Sequence, residues 1–370
     1  MTDTATTPDT DAATEVIAER HGNVGFLTLN RPRALNALSL QMVRDLHAAL
    51  TAWQDDPAVQ AVAIRGMGKE GPFGSFCAGG DIRFLHRAGT EGDAALEAFF
   101  TEEYALNHLI HTYPKPYIAF MDGIVMGGGM GISQGASLRI VTERTKMAMP
   151  ETAIGLFPDV GGGYFLGRCP GSAGEWLGLT GDTIGADEAI ALGLADRRAD
   201  AASLPGLWQS LQETALASRA DIDQWIATKT IAGGRHAEPA TGRFDAYFSL
   251  PDVPAILAAL EAAGTDETRA VAATLRKRSP LMLFVVLEQI RRARGMDLAD
   301  DLRMERDMVH RCFHLRPGAS ETLEGIRALA VDKDHAPRWN PTRIEEVTPE
   351  MVAPFFESPW TAETHPLRSL

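Results

Sequence analysis

Two acidic residues lie in a stretch that is otherwise free of charge, MPETAIGLFPDVGGGYF at residues 149–165. Glu151 and Asp159 are separated only by apolar residues, glycine, proline and one threonine. A buried carboxylate is costly unless it is paired, hydrogen-bonded or shifted in pKa. Two of them in an apolar pocket could act as base or nucleophile and as acid or orienting group. The structural alternative is that Glu151 caps the turn after Pro150 and Asp159 caps a helix that begins near Gly161.

Two glycine clusters could bind an anion. FCAGGDI at 76–82 and VMGGGMGIS at 125–133 each follow a predicted strand and open a predicted helix. The first backbone N–H groups of a helix have no partner within it and favour negative charge. Two such groups from different loops could form an oxyanion hole, which stabilises the charge on a carbonyl oxygen under attack. The alternative is that the glycines only permit tight turns.

A serine-hydrolase motif overlaps the second cluster, because residues 131–135, GISQG, fit G-x-S-x-G. That motif requires a strand that runs directly into the serine and a helix that begins after it. Here three glycines come first, so we expect the helix to begin near Gly128 and to contain Ser133. The sequence therefore argues against a serine esterase.

Composition narrows the class of protein. The chain has 370 residues, a formal net charge of −14 and three cysteines, Cys77, Cys169 and Cys312. The charge argues against a nucleic-acid partner. The cysteines form no disulfide framework, lack metal-ligand spacing and suggest a reducing compartment, so we predict no metal site.

The N-terminus and the apolar runs bear on location. Residues 1–14 lack the basic and apolar segments of a signal peptide, and we expect a disordered tail. The apolar run at 281–287 is too short to span a membrane. We therefore expect a cytoplasmic protein with no membrane partner.

The elements that must position the candidate residues alternate along the first 200 positions. Two apolar runs flank a turn at residues 21–23 and predict a hairpin, and Ser39 is expected to cap a helix that runs through Trp53. A further helix is predicted at Glu97–His111. Predicted strands are Val16–Glu19, Val24–Leu29, Val59–Arg65, Tyr117–Phe120, Leu138–Thr142 and Lys146–Met149, the last two joined at residues 143–145. This alternation predicts an α/β architecture.

The C-terminal part has longer helical patterns, which begin near Asp221. One predicted helix has Ser279 as its N-cap and Pro280 at its first position, and it ends before Gly295. We place a boundary in the stretch 204–221, which gives a core at 15–210 and a helical region at 211–370.

Five segments resemble the crotonase (enoyl-CoA hydratase/isomerase) superfamily: NRPRALNALS at 30–39, FCAGGDI at 76–82, GIVMGGGMGIS at 123–133, MPETAIGLFPDVGGGYFL at 149–166 and LTGDTIGADEAIALGLAD at 179–196. Within it, the fourth segment and VDKDHAPRWNP at 331–341 are similar to the 3-hydroxyisobutyryl-CoA hydrolase family, thioesterases of valine breakdown. The resemblance covers residues 18–356. It implies a core built as a spiral of ββα turns, followed by a helical C-terminal region.

The resemblance assigns roles to the candidate residues. Two backbone N–H groups that hold the acyl-thioester oxygen map to Ala78, with Gly79 as a further candidate beside it, and to Gly128. Hydratases of the superfamily use two glutamates, of which one maps to Glu151 and the other to Gly131. Asp159 stands where hydratases usually carry glycine. The chain thus lacks the second hydratase glutamate at position 131 and has an additional acid at Asp159, and this difference favours hydrolysis over hydration.

Further contacts are implied by resemblance alone. Glu103, which sequence patterns would place on a helix surface, lines the substrate pocket in the hydrolase branch. Implied substrate contacts are Gly79, Asp81 and Ile82, and implied coenzyme A contacts are Arg31, Arg33, Ala34 and Arg83. The arginines could supply local positive charge for the phosphates, although each could equally be a solvated surface residue.

The implied reaction is hydrolysis of a short 3-hydroxyacyl-CoA thioester, with no cofactor beyond the coenzyme A of the substrate. Glu151 either attacks the thioester carbonyl, giving a mixed anhydride, or activates a water molecule. Asp159 orients the substrate hydroxyl or the water, or protonates the leaving thiolate. The alternatives are an enoyl-CoA hydratase or isomerase of the same fold and a non-catalytic acyl-CoA-binding subunit. A homo-oligomer is left open.

Overall fold

A computed structural model of the chain describes residues 14–214, 216, 218–229, 232–233 and 244–370. Apart from Thr14, the predicted disordered tail lies outside the described residues.

The central sheet has the strand order β1-β2-β3-β4-β6-β8-β9 in the described part of the chain. Its inner pairs are parallel, and only β1 with β2 and β8 with β9 pair antiparallel. A second, smaller sheet pairs β5 with β7 in parallel. The strands are β1 Val16–His21, β2 Val24–Leu29, β3 Ala61–Gly66, β4 Tyr117–Met121, β5 Ile124–Met126, β6 Leu138–Val141, β7 Lys146–Ala148, β8 Arg197–Arg198 and β9 Ala232–Gly233.

Helices cover the sheet and form most of the C-terminal part. They are α1 Leu40–Gln54, α2 Ile82–Glu91, α3 Ala95–His111, α4 Gly128–Gln134, α5 Gly162–Gly167, α6 Ala173–Thr180, α7 Ala186–Ala191, α8 Leu204–Glu213, α9 Arg219–Thr228, α10 Asp245–Phe248, α11 Val253–Ala263, α12 Asp266–Leu275, α13 Pro280–Ala293, α14 Leu298–His314, α15 Glu321–Ile326 and α16 Pro349–Val352. The mixed α/β architecture is as predicted.

Local sequence signals account for the N-terminal elements. The β1–β2 hairpin is confirmed, with His21 opposite Val24 at its turn. The Ser39 hydroxyl accepts from the Met42 N–H at 3.1 Å, so Ser39 caps α1 as predicted. The inner strands are apolar because both faces of a parallel sheet are covered, and every residue of β4 is buried.

The two glycine-rich loops meet beside the smaller sheet. The predicted strands on either side of residues 143–145 both exist, but β6 joins the central sheet while β7 pairs with β5. This pairing sets Val125 opposite Met147, and an isolated bridge sets Cys77 opposite Val125. The loops at 76–81 and 126–128 and the segment after β7 therefore lie side by side.

The C-terminal helices pack on the core. Ser279 caps α13 as predicted, and α13 packs on α5 and α6. Helix α14 packs on α3, and α15 packs on the short 3-10 turn Glu151–Ile154. Buried side chains from both sides of residue 210 belong to one hydrophobic core, and the predicted boundary itself stays a prediction. None of the helices among the described residues is long and apolar enough to cross a membrane.

Candidate active site

A cavity of about 260 Å³ lies where the two glycine loops, α3 and the segment 150–159 meet. Its walls are mostly apolar, and three carboxyl groups face it from Glu103, Glu151 and Asp159. The other lining residues are Ala78, Gly79, Gly80, Ile82, Leu85, Phe99, Phe100, Met126, Gly127, Gly128, Pro150, Ala153, Ile154, Leu156 and Leu329. An apolar cavity with a few convergent polar groups is the usual form of a small-molecule site.

Glu151 opens the 3-10 turn that follows β7 and Pro150. Its carboxylate accepts a hydrogen bond from the Glu151 N–H group, and the structural alternative, a cap on this turn, stays a prediction. The residue is 6% exposed, and Oε2 has no hydrogen-bond partner among the described residues. Burial, and then the negative charge of Asp159, raise the pKa of the Glu151 carboxyl well above its usual value. The Glu151 carboxyl therefore holds its proton to a higher pH than a solvated glutamate does.

Asp159 is also buried, but it has a partner that the sequence did not reveal. The Tyr104 hydroxyl donates to Asp159 Oδ2 at 2.9 Å. Burial raises the pKa of Asp159 to about 6, and the hydrogen bond from Tyr104 opposes that rise. The hydroxyl of Tyr104 thus favours the ionised form of Asp159.

Glu103 lies on the buried face of α3, not on a helix surface as sequence patterns alone indicated. It is 2% exposed, and Oε1 has no partner among the described residues. A Cβ added at Gly128 would lie 2.6 Å from Oε1, which places this carboxyl beside the second glycine loop. Burial, and then the charge of Asp159, raise the pKa of Glu103 well above its usual value.

The segment that carries Asp159 is held from the C-terminal part of the chain. Gly161 and Gly163 donate their N–H groups to the Glu305 carboxylate at 2.7 and 3.0 Å. Tyr164 donates its N–H group to Asp301 Oδ2 at 2.9 Å. The acidic groups that satisfy the start of α5 therefore come from α14, and the predicted capping role of Asp159 is wrong. No local sequence signal could show this, because the partners are more than 130 residues apart.

Two further features fix the conformation next to Asp159. Val160 has φ +58°, a left-handed conformation that is rare for a β-branched residue and costs on the order of 1–3 kcal/mol. Gln289 on α13 donates through Nε2 to the Pro158 carbonyl at 2.7 Å and to Glu305 at 3.0 Å. Contacts on both sides of Asp159 thus hold a backbone conformation that the segment would not adopt alone.

The glycine loops present backbone N–H groups to the cavity, but not the pair expected. The Ala78 N–H donates to the Leu35 carbonyl at 3.1 Å, so it is not free to bind a carbonyl oxygen, and the assignment of Ala78 to an oxyanion hole is wrong. The N–H groups of Gly80 and Gly128 have no acceptor among the described residues, and both glycines line the cavity. Gly128 is the first residue of α4, where such a group is expected.

The residues around the second glycine cluster argue against a second hydratase carboxylate and against a serine nucleophile. A Cβ added at Gly131 would lie 2.6 Å from the Val160 Cβ, so no side chain fits there without displacing the Asp159 segment. Ser133 lies inside α4 and is fully buried, and its hydroxyl donates to the Gly129 carbonyl at 2.8 Å. The G-x-S-x-G match is therefore not a nucleophile, as the sequence indicated.

Of the other predicted substrate and coenzyme A contacts, some line the cavity and some do not. Gly79 and Ile82 line the cavity, whereas Asp81 does not, because its carboxylate accepts from the Phe84 N–H at 3.3 Å as the cap of α2. Arg31 forms two ion pairs within the protein, because its guanidinium lies 3.0 Å from the Glu15 carboxylate and 3.2 Å from the Asp81 carboxylate. Arg33, Ala34 and Arg83 are exposed. The one group of described residues with the spacing of metal ligands, Glu97, His310 and His314, lies outside the cavity lining.

Comparisons with known proteins identify the family of this chain. The model of the enoyl-CoA hydratase/isomerase family matches residues 24–356. The chain is 37% identical over 353 residues to the mitochondrial 3-hydroxyisobutyryl-CoA hydrolase of Gallus gallus, covering 93% of this chain and 89% of the relative. It is 36% identical over 361 residues to that of Homo sapiens, covering 94% and 90%.

Two solved structures are similar over nearly the whole chain. One is described as a carnitinyl-CoA dehydratase from Mycobacterium thermoresistibile, with 36% identity, a TM-score of 0.83 and coverage of 93% of this chain and 96% of that one. The other is described as an enoyl-CoA hydratase from Rhodobacter sphaeroides, with 38% identity, a TM-score of 0.82 and coverage of 94% and 98%. Together with the cavity and its three carboxyl groups, these matches show that the chain belongs to the enoyl-CoA hydratase/isomerase family, in the branch that includes the 3-hydroxyisobutyryl-CoA hydrolases.

Proposed function

We propose that this protein hydrolyses 3-hydroxyisobutyryl-CoA to 3-hydroxyisobutyrate and coenzyme A, a step of valine breakdown. The observation that carries the proposal is the distribution of acids around the cavity. Position 131, where hydratases of the superfamily hold a second glutamate, is a glycine with no space for a side chain, while Asp159 faces the cavity from the next segment. The curated relatives at 36–37% identity are named for this hydrolysis.

In this proposal the thioester carbonyl oxygen accepts hydrogen bonds from the N–H groups of Gly80 and Gly128. Donors fixed in position before the reaction stabilise the developing oxyanion without reorganisation, and one such donor typically contributes about 3–4 kcal/mol. The proposal therefore replaces Ala78 by Gly80, whose N–H group has no acceptor among the described residues.

Glu151 is the proposed catalytic carboxylate. After losing its proton it either attacks the carbonyl carbon, which forms a mixed anhydride and releases the coenzyme A thiolate, or removes a proton from a water molecule that attacks this carbon and displaces the thiolate. In the first route water then hydrolyses the anhydride, which releases the hydroxy acid and restores the Glu151 carboxylate. Both routes need the ionised form, and an unpaired Oε2 in an apolar wall is a stronger base than a solvated carboxylate. Asp159 and Glu103 are proposed to orient the 3-hydroxyl group of the substrate.

The coenzyme A moiety is proposed to extend from the cavity along the exposed loop that carries Arg33 and Ala34, with Arg83 near its phosphates. A second cavity, of about 500 Å³, adjoins this loop and includes Leu35, Met67 and the exposed Lys69 in its lining. Local cations would allow an anionic ligand to bind a chain of net charge −14. Arg31 is not included, because two carboxylates already neutralise it.

Hydration of an enoyl-CoA is the second candidate, since the two similar solved structures are described as a dehydratase and a hydratase. The experiment compares two substrates with one enzyme preparation. Thiol release from 3-hydroxyisobutyryl-CoA is followed with a thiol-trapping dye, and hydration of crotonyl-CoA by loss of enoyl absorbance. We expect rapid thiol release with crotonyl-CoA unchanged.

A Glu151→Gln preparation is the matched control, because any thioesterase that copurifies would act equally in both samples. Consumption of crotonyl-CoA without thiol release from the hydroxyacyl thioester would replace hydrolysis by hydration. Binding of both thioesters without turnover would favour a non-catalytic acyl-CoA-binding subunit. The predicted cytoplasmic location and the homo-oligomer left open from the sequence stay predictions, and the relatives are named as mitochondrial.

A further inference from the structure

Two histidines and a glutamate converge outside the cavity, where α14 packs on α3. His310 and His314 are one turn apart, so their side chains lie on the same face of α14. Glu97 lies in the first turn of α3, and its Oε1 is 3.1 Å from His310 Nδ1 and 2.8 Å from His314 Nε2. These three ligand atoms lie within 4.8 Å of one another. The spacing is compatible with a single ion bound at about 2.0–2.2 Å from each.

The surroundings orient these groups. Arg306 pairs with the other carboxylate oxygen of Glu97, and the Trp360 ring lies 4.9 Å from the His310 ring. An outer partner that fixes a ligating side chain is a regular feature of metal sites. His314 is 42% exposed, which leaves a path from solvent.

We propose that Glu97, His310 and His314 bind one divalent transition-metal ion of the zinc class. Two imidazole nitrogens and one carboxylate oxygen suit zinc, cobalt or nickel and not magnesium or calcium, which prefer oxygen ligands. The ion would connect α3, which carries Glu103 and Tyr104, to α14, which holds the Asp159 segment through Glu305. None of its three ligands lines the cavity, so its role is structural and independent of the reaction proposed above.

The test titrates Zn²⁺ into the chelator-treated full-length protein by calorimetry, with Mg²⁺ as the comparison ion. We expect one equivalent of Zn²⁺ per chain, no saturable Mg²⁺ binding, and a higher midpoint of thermal unfolding in Zn²⁺. His314→Ala should remove both the one-site isotherm and the thermal shift, whereas His47→Ala, at an exposed histidine of α1, should keep both.

Co²⁺ gives a second measurement, because its visible absorption reports the geometry of the bound ion. A band that saturates at one equivalent in the unmodified protein and is absent in Glu97→Gln supports the site. Wild-type protein that binds no Zn²⁺, or binding that is unchanged in His314→Ala and Glu97→Gln, would mean that the two histidines only pair with the glutamate. Both variants are checked by circular dichroism so that loss of binding is not confused with loss of fold.

Discussion

The Tyr104 hydroxyl donates a 2.9 Å hydrogen bond to Asp159 Oδ2, and both side chains are buried. This bond joins α3, which also carries Glu103, to the segment after Glu151. The bond thus connects the wall of the cavity formed by α3 to Asp159 on the opposite wall. Because a hydroxyl donor stabilises a carboxylate more than a carboxylic acid, the bond favours the ionised form of Asp159.

Removing that hydroxyl should destabilise the fold in a pH-dependent way. In Tyr104→Phe the pKa of Asp159 rises beyond its present value of about 6. When folding raises the pKa of a carboxyl, the free energy of unfolding of the protein falls as pH rises from the unfolded pKa of that group to its folded pKa. The variant loses more of this free energy because the folded pKa of its Asp159 is higher. The penalty should therefore be small at pH 5 and grow by about 1–3 kcal/mol above pH 7.

Tyr117→Phe is the matched control for this measurement. Tyr117 is equally buried, but its hydroxyl lies 3.3 Å from the Ile132 carbonyl, which does not titrate. Urea unfolding at several pH values measures both variants. A penalty for Tyr104→Phe that is the same at pH 5 and pH 8 would show that Asp159 does not ionise in the folded protein over that range.

Glu151→Gln should reduce kcat for hydrolysis by about 10²–10⁴-fold, because the amide is neither a base nor a nucleophile. The fold should not change, since Gln has the same shape and Glu151 Oε2 makes no hydrogen bond with a described residue. Thiol release under saturating substrate measures the effect, with Glu350→Gln at an exposed position as the control. Activity within twofold of the unmodified enzyme would remove Glu151 from the mechanism.

The pH dependence of kcat/KM should report the Glu151 proton. Hydrolysis rises with pH as Glu151 ionises, and the rising limb should lie above the usual carboxyl range because burial and Asp159 raise this pKa. Asp159→Asn removes the neighbouring negative charge, so the limb should move to lower pH. A limb that stays in place, or moves to higher pH, would mean that another group controls the rate.

The sequence was sufficient where the determining contacts are local. The Ser39 cap, the hairpin turn before Val24 and the start of α13 at Pro280 follow from residues within one turn of each other. The burial of Glu151 and Asp159 followed from the apolar run around them. Resemblance then identified Glu103, whose helical neighbours alone predicted an exposed side chain.

Contacts between residues far apart in the chain determine the features that the sequence did not predict. Ala78 and Gly80 belong to the same short loop, and only the bond from Ala78 to Leu35 shows which N–H group is free. Asp301 and Glu305 lie in the polar sequence DDLRMERD and resemble a solvated helix face. They are fully buried because the first N–H groups of α5 require acceptors, and no residue near α5 in the sequence supplies them.

Glu305→Gln should lower kcat without a comparable change in KM. Glu305 does not line the cavity, but its carboxylate accepts from Gly161 and Gly163, which hold the left-handed Val160 beside Asp159. Glutamine has one acceptor oxygen in place of two, so one N–H group loses its partner. A small displacement of a reacting group can cost up to about 10²-fold in rate, and we expect a 10- to 100-fold loss of kcat.

Asp300→Asn, at an exposed position of the same helix, is the control for Glu305→Gln. Both variants are compared in kcat, KM and unfolding free energy. If Glu305→Gln lowers stability while kcat remains that of the unmodified enzyme, the residue supports the fold without positioning Asp159.

Gly131→Ala should be destabilising by about 1–3 kcal/mol, because the added Cβ would lie 2.6 Å from the Val160 Cβ and 2.9 Å from Asn107 Nδ2. The added Cβ would displace Val160, which follows Asp159 in the chain, so the rate of hydrolysis should fall together with the free energy of unfolding. Gly206→Ala in α8 is the matched control, since its Cβ would meet nothing within 4 Å and should stabilise the helix by up to about 1 kcal/mol. Equal stability of the two variants would show that position 131 has space for a side chain, and the structural argument against a second hydratase carboxylate would then be lost.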